Sequence, residues 1–301
     1  MPLAAFPKCF LDALCVERTM QVEEWINLAA DTLDIDGLEF YWGFTPSTEP
    51  EKLLDLRKLA EGRGLRIPMM CYSPDFTRPE ATERQAEVTA QKHAIETTAA
   101  LGGTYCRVLS GQRRPDVSTA EGVRYAAECI TACLDCAAQH GVTLILENHY
   151  KDGYWQYPEL AQKQDVFLEL LAAIPLSSHF GVNYDPSNAI IAGDDPIALL
   201  EAVKGRVVTM HASDRYLEAG ATLDDLRRLE AHPTQGYSAI LKHGVIGQGL
   251  NDYDRIFSIL KDAGFAGWVS IEDGQDANVG MEHLRLSADF LRAKMRLHGL
   301  T

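Results

Sequence analysis

The chain alternates short apolar runs with longer amphipathic stretches. Apolar, β-prone runs cover residues 8–14, 37–42, 66–72, 104–109, 142–146, 181–184, 207–210 and 268–271. Near-continuous apolar runs of this length suit strands covered on both faces. Between them, apolar residues recur at helical spacing. Residues 22–29 show it, and Leu53, Leu56 and Leu59 repeat it before Gly62 and Gly64. Residues 79–101 read as a long helix stopped by Gly102 and Gly103. Ser118 and Glu121 form a capping-box pattern that opens a helix to Gln139, with Gly141 behind it. Asp195 and Pro196 make a cap and a first-turn proline, and a further helix starts near Asn251 and stops at Gly264.

Eight strands alternating with helices predict an α/β fold, a single (β/α)8 TIM barrel over residues 1–301. No linker or shift in composition divides the chain. A doubly wound open sheet would carry a Gly-rich turn after its first strand, and residues 13–17 contain no glycine. One connection, from residue 210 to residue 268, is longer than a single helix needs. Residues 215–245 are therefore predicted as an insertion between strands 7 and 8, with a short helix over 222–230 and a turn over 234–237. An insertion after a barrel strand lies on the working face of a barrel enzyme, so it reads as a lid or as a decorative loop.

Composition narrows the class. A hydrophobic content of 46% and a charged content of 24% are those of a globular protein. No apolar run approaches the roughly 20 residues that cross a bilayer. The N-terminus lacks a basic region followed by an apolar segment, so a cytoplasmic location is expected and a membrane partner is not. A net charge of −15 repels phosphate backbones and argues against nucleic acid. Cys129, Cys133 and Cys136 share one helix face. No second Cys/His pair matches them in spacing, so they are predicted to pack inward rather than to bind metal.

Polar residues close the apolar runs: Glu39, Tyr72 with Ser73, Arg107, Glu147 with His149, Asp185 with Asn188, His211 with Asp214, and Glu272 with Asp273. The last four strands each end in a metal-competent group, namely Glu147, Asp185, His211 and Glu272. One such aspartate is commonly a helix cap. Four on consecutive strands converge on one point, because barrel chemistry gathers at strand C-termini. Three carboxylates and an imidazole favour Mn2+ or Mg2+, with Co2+ and Zn2+ as substitutes. A metal so held accepts a carbonyl and its neighbouring hydroxyl, acidifies the carbon-bound proton and stabilises the enediolate. Carboxylates above and below that carbon then serve as acid and base. His149 is either a further base or a support that orients Glu147. Arg107, Lys151 and Arg215 are candidates for holding hydroxyls, and Glu39 joins the substrate-binding candidates. Trp42, Tyr154 and Trp155 either stack on a sugar ring or pack under a loop. Gly247-Gln-Gly249 is read as a turn rather than a phosphate cradle, since it lacks the longer glycine pattern and a preceding strand.

These strand ends resemble a known family. Residues 146–149 (Leu-Glu-Asn-His), 183–188 (Asn-Tyr-Asp-Pro-Ser-Asn), 210–214 (Met-His-Ala-Ser-Asp), 247–253 and 267–273 are similar to the sugar phosphate isomerase/epimerase superfamily. This xylose-isomerase-like barrel group includes ketose 3-epimerases, inosose dehydratases, keto-glycoside epimerases and apurinic endonucleases. The resemblance implies that Glu147, Asp185, His211 and Glu272 are ligands of a single metal, and that Glu147 and Glu272 also exchange the proton. Many members have His where this chain has Asn188, which makes that substrate contact an amide. The endonucleases need further His and Asp ligands that Tyr72, Arg107 and the segment before Gly247 do not supply. The 215–245 insertion and the 150–155 loop point to a different or larger substrate than a ketose.

The function expected is therefore a metal-dependent sugar or keto-sugar isomerase or epimerase, with a 3-keto-glycoside lyase, including C-glycoside cleavage, as the alternative on the same site. A sugar-binding barrel without turnover is the alternative of another class. The expected partners are a small sugar or keto-glycoside and further copies of the chain.

Overall fold

The computed structural model describes residues 1–300 other than 46, 154, 231–239 and 275. Eight parallel strands close into a barrel: β1 (Leu3–Ala5), β2 (Gly37–Tyr41), β3 (Arg66–Cys71), β4 (Tyr105–Val108), β5 (Thr143–Glu147), β6 (Phe180–Tyr184), β7 (Val207–Ala212) and β10 (Trp268–Ile271). Around the ring they run β1-β10-β7-β6-β5-β4-β3-β2, so the last strand closes against the first. Seven of these lie where apolar runs predicted them.

The first strand does not. Residues 8–14 were expected to be extended, but Lys8–Phe10 is a 3-10 turn and Leu11–Cys15 is a helix. The strand is the three-residue run Leu-Ala-Ala, wholly buried and paired on both sides, with Leu3 opposite Val269 and Ala4 opposite Gly37. Leu11 and Leu14 stand three apart and fit helical spacing. The correction places Lys8 just beyond the C-terminal end of a barrel strand.

The predicted helices form, and Ser118 and Asp195 cap theirs as the sequence proposed. Ser118 and Glu121 make a reciprocal capping box, and Gly141 ends Thr119–His140 in the left-handed conformation. Asp195 and Asp252 accept from the first-turn amides of Pro196–Val203 and Tyr253–Asp262. On Thr119–His140, Cys129 and Cys133 are buried in the core between strands and helices. No helix among the described residues is long and apolar enough to cross a membrane.

Ala4, Met69, Ile145 and Trp268 form a small apolar cluster of their own, apart from the main core. Ile145 lies two residues before Glu147 on one strand, so both face the same way. The barrel thus stacks an apolar layer beneath a polar one.

Between β7 and β10 the described chain forms β8 (Arg215–Leu217), the helix Leu223–Glu230 and β9 (Leu241–His243), with β8 and β9 antiparallel. The turn expected over 234–237 lies outside the described residues. Two aspartates just past strand ends, Asp214 and Asp273, fasten this segment, Asp273 by accepting from the backbone of Gly244. Asp214 Oδ2 accepts from the backbone of Gly247 and Gly249 at 2.8 and 2.9 Å, and Oδ1 from Asn251 at 3.1 Å. A Cβ at position 249 would lie 2.3 Å from Asp214 Oδ1, so the close approach needs glycine. The Gly-Gln-Gly turn therefore cradles a carboxylate of its own chain.

Candidate metal centre and barrel mouth

Glu147 ends β5, Asp185 follows β6, His211 lies in β7 and Glu272 follows β10. One ligand atom from each comes within 4.8 Å of the others. Unit charges of one sign at that distance repel by about 3.5 kcal/mol at an effective dielectric of ~20. The electrostatics show the crowding. Burial first, then Glu272 and Glu147, push the Asp185 carboxyl up to about 6. Burial opposes a charge on His211, yet Glu39, Glu147 and Glu272 outweigh it and hold the imidazole well above its ordinary range.

The donor set fits one divalent metal. Asp185 divides its oxygens between structure and site. Oδ1 caps the helix Pro186–Ile191 by accepting from Asn188 N at 3.0 Å, and it accepts from Ser213 Oγ at 2.6 Å. Oδ2 is buried and has no hydrogen-bond partner among the described residues. An orphaned buried carboxylate oxygen inside a cluster of acids is a group a cation would satisfy. Asp185 is thus a helix cap and a candidate ligand at once.

His211 presents one ring nitrogen to the cluster. Nδ1 lies 3.1 Å from Glu147 Oε1 and 3.5 Å from Glu272 Oε2. Nε2 faces the other way, 2.9 Å from Glu39 Oε1. Glu39 Oε1 also accepts from Cys71 Sγ at 2.7 Å, and Oε2 from Ser270 Oγ at 2.5 Å. Glu39 is fully buried with both oxygens engaged. It sits against the back of His211, where it holds a proton on Nε2, so that a metal taking the place of the Nδ1 proton would meet the Nδ1 lone pair.

The two glutamates are arranged alike. Glu147 Oε1 faces His211, while Oε2 accepts from Arg107 Nη1 at 2.9 Å. Glu272 Oε2 faces His211, while Oε1 lies 3.4 Å from Lys8 Nζ. Burial works against charge on Glu147, but His211, Arg107 and His149 hold its carboxyl well below the usual range. Burial is likewise overcome at Glu272 by Lys8 and His211, which hold it down to about 2. Asn188 Nδ2 donates to Glu147 Oε1 at 3.1 Å. Asn148 clasps the backbone of Asp185 from both sides, donating to its carbonyl at 2.7 Å and accepting from its amide at 2.8 Å.

Around this centre stand the loops. His149 Nδ1 lies 3.5 Å from Glu159 Oε2, and Glu159 Oε1 accepts from Ser110 N and Oγ, each at 2.8 Å. His149 stacks on Tyr150 with centroids 4.9 Å apart, and the Arg215 guanidinium lies 5.3 Å from the Tyr150 ring. Arg215 is almost wholly buried although it belongs to the insertion. Lys151 is half-buried in the β5 loop, and Trp155 is buried there with its amide donating to Asp152 O at 3.1 Å. Trp42 is 46% exposed, with Tyr72 edge-on at 6.1 Å. Tyr154 lies outside the described residues.

Sequence reasoning missed Lys8, Ser110, Glu159 and His243. Lys8 was hidden inside a run assigned to a strand. Glu159 follows a Tyr-Pro pair in a loop, and its only signal is an acid beside the apolar Leu160 and Ala161.

Residues 27–294 match the family described as xylose isomerase-like TIM barrel, and the chain belongs to it. It is 21% identical over 241 residues to an inosose dehydratase of Clostridium botulinum, covering 76% of each chain. It is 22% identical over 166 residues to an inosose dehydratase of Bacillus thuringiensis, spanning 54% of this chain and about half, 51%, of that relative. A D-tagatose 3-epimerase-like protein has the same fold, with a TM-score of 0.76 at 17% identity over 99% of this chain and 98% of the other.

Proposed function

We propose that this chain is a metal-dependent sugar or keto-sugar isomerase or epimerase that removes a proton from the carbon next to a carbonyl. The observation that supports it most is the shared arrangement of Glu147 and Glu272. Each turns one oxygen toward His211 and the other toward a cation. The ligands proposed are Glu147, Asp185, His211 and Glu272, and the ion proposed is Mn2+. Bound there, it would polarise a carbonyl and its neighbouring hydroxyl and so acidify the adjacent C–H.

The chain's own residues do the rest. Glu147 and Glu272 are the proposed proton carriers. The cations beside them, Arg107 and Lys8, keep both carboxylates ionised. Asn188 and Arg107, which donate to Glu147, are proposed to touch a ligand there; Arg215 and Lys151 are proposed to hold outer hydroxyls, and Trp155 to wall the loop side. Glu39, first considered a substrate contact, is reassigned as the residue that positions His211.

One observation favours a second reading. His149 Nδ1 faces the buried Glu159 carboxylate at 3.5 Å, with no hydrogen bond between them, and a carboxylate behind an imidazole suits a proton acceptor separate from the metal ligands. With it the same enolate would lose a β-substituent, as in a dehydratase or a 3-keto-glycoside lyase. Proton NMR of the manganese-loaded protein with D-tagatose, an inosose and a 3-keto-glucoside separates the two. A stereoisomer or positional isomer supports isomerisation, and an unsaturated ketone supports elimination. Neither product from any of the three rejects the enolisation reading.

A further inference from the structure

We propose that His243, carried to the barrel mouth by the β8–β9 hairpin, is a substrate-contacting residue that accepts a hydrogen bond from a ligand hydroxyl, with Asp273 as its positioning residue. The insertion is then part of the binding site rather than a decoration on it.

His243 ends β9, and its Nδ1 lies 2.7 Å from Asp273 Oδ1. Asp273 immediately follows Glu272, so the carboxylate that fixes the ring adjoins a proposed metal ligand. Asp273 is itself held by backbone amides. Oδ1 accepts from Gly244 and Gly274 at 3.2 and 2.9 Å, and Oδ2 from Asp214 at 2.7 Å. An anchored carboxylate at Nδ1 selects the Nδ1–H tautomer, which leaves the Nε2 lone pair as an acceptor. The His243 side chain is only 8% exposed, and among the described residues its Nε2 makes no hydrogen bond.

The surroundings favour the neutral ring. Burial first, then Lys8 and Arg215, depress the imidazole far below its ordinary range, against the opposing pull of Glu272. Arg215 is its cross-strand partner in the hairpin. Lys8 and Arg215 can only donate, and a neutral His243 held by Asp273 can only accept through Nε2. Donors grouped with an acceptor suit the adjacent hydroxyls of a polyol, each of which gives one hydrogen and takes another. The ligand class is therefore a polyhydroxy ketone or its glycoside, with hydroxyls beyond the two oxygens that reach the metal.

This inference rests on the reading of the centre as one that holds a sugar. Titration calorimetry of the magnesium-loaded protein with D-tagatose, an inosose and a 3-keto-glucoside tests it, alongside deuterium exchange in D2O. His243→Ala and Asp273→Asn should each weaken the sugar the wild type binds by about tenfold, one hydrogen bond's worth, with metal affinity unchanged. His243→Gln, which keeps an acceptor oxygen, should recover part of the loss. If His243→Ala and His243→Gln, folded by circular dichroism, bind within twofold of wild type, the subsite is wrong. If binding needs His243 but no deuterium enters the sugar, the subsite stands and enolisation fails. If deuterium enters and the variants match wild type, the reverse holds. Wild-type protein that binds none of the three sugars overturns the subsite as well.

Discussion

His211 Nε2 lies 2.9 Å from Glu39 Oε1, and both side chains are fully inaccessible to solvent. The contact joins β7 to β2 and sets which nitrogen of the imidazole faces the acidic cluster. Glu39→Gln can offer its NH2 group to Nε2 and so stabilise the opposite tautomer. Metal affinity by titration calorimetry should fall by about 10–100-fold, the usual effect of losing such an outer partner. Unchanged affinity would mean that something other than Glu39 orients the ring.

Lys8 and Glu272 make a second pair at the site, 3.4 Å apart. Lys8→Met keeps the length of the side chain and removes its charge. We expect kcat/KM to drop at least about tenfold, or 1.4 kcal/mol of transition-state stabilisation, for whichever sugar is turned over. An unchanged steady-state rate would assign Lys8 to surface charge alone.

Arg107 and Glu147 form a buried ion pair at 2.9 Å. Arg107→Met strands a buried carboxylate, which costs about 3–5 kcal/mol of stability. Urea denaturation without metal should show that loss. Saturating metal should recover part of it, because an ion that binds only the folded state stabilises by mass action. A variant as stable as wild type in the absence of metal contradicts the pairing.

Much of this architecture was legible in the chain. Strands buried on both faces read as apolar runs, and the residues that interrupt those runs are the ones that matter chemically. Glu147, Asp185, His211 and Glu272 were visible for that reason, and the structure brings them together. The first strand was not legible, because Leu3-Ala4-Ala5 is too short to show any period. Nor were the contacts between distant residues. Glu39 and His211 are separated by 172 positions, and nothing local in either segment announces the other. His243 was hidden differently: it closes a short strand in an insertion whose pattern carries no barrel signal.

Asp214 holds the segment that carries β9 into place through three backbone amides, at Gly247, Gly249 and Asn251. Asp214→Ala leaves those amides without their acceptor and should cost about 3 kcal/mol, the scale of hydrogen bonds to a charged group. Chemical denaturation measures this. Limited proteolysis should show cleavage after residue 243 in the variant sooner than in wild type. Equal stability and equal protease resistance would remove Asp214 as the anchor.

The central claim is that Glu147, Asp185, His211 and Glu272 hold a metal that activates a sugar C–H next to a carbonyl. Deuterium incorporation from D2O into D-tagatose, an inosose or a 3-keto-glucoside measures it most directly, with manganese-loaded and metal-stripped protein compared. The account predicts exchange at the carbon beside the carbonyl of at least one of these, lost on stripping, regained with Mn2+ and abolished in Glu147→Gln. No exchange in any of the three, or exchange that survives both stripping and Glu147→Gln, contradicts it.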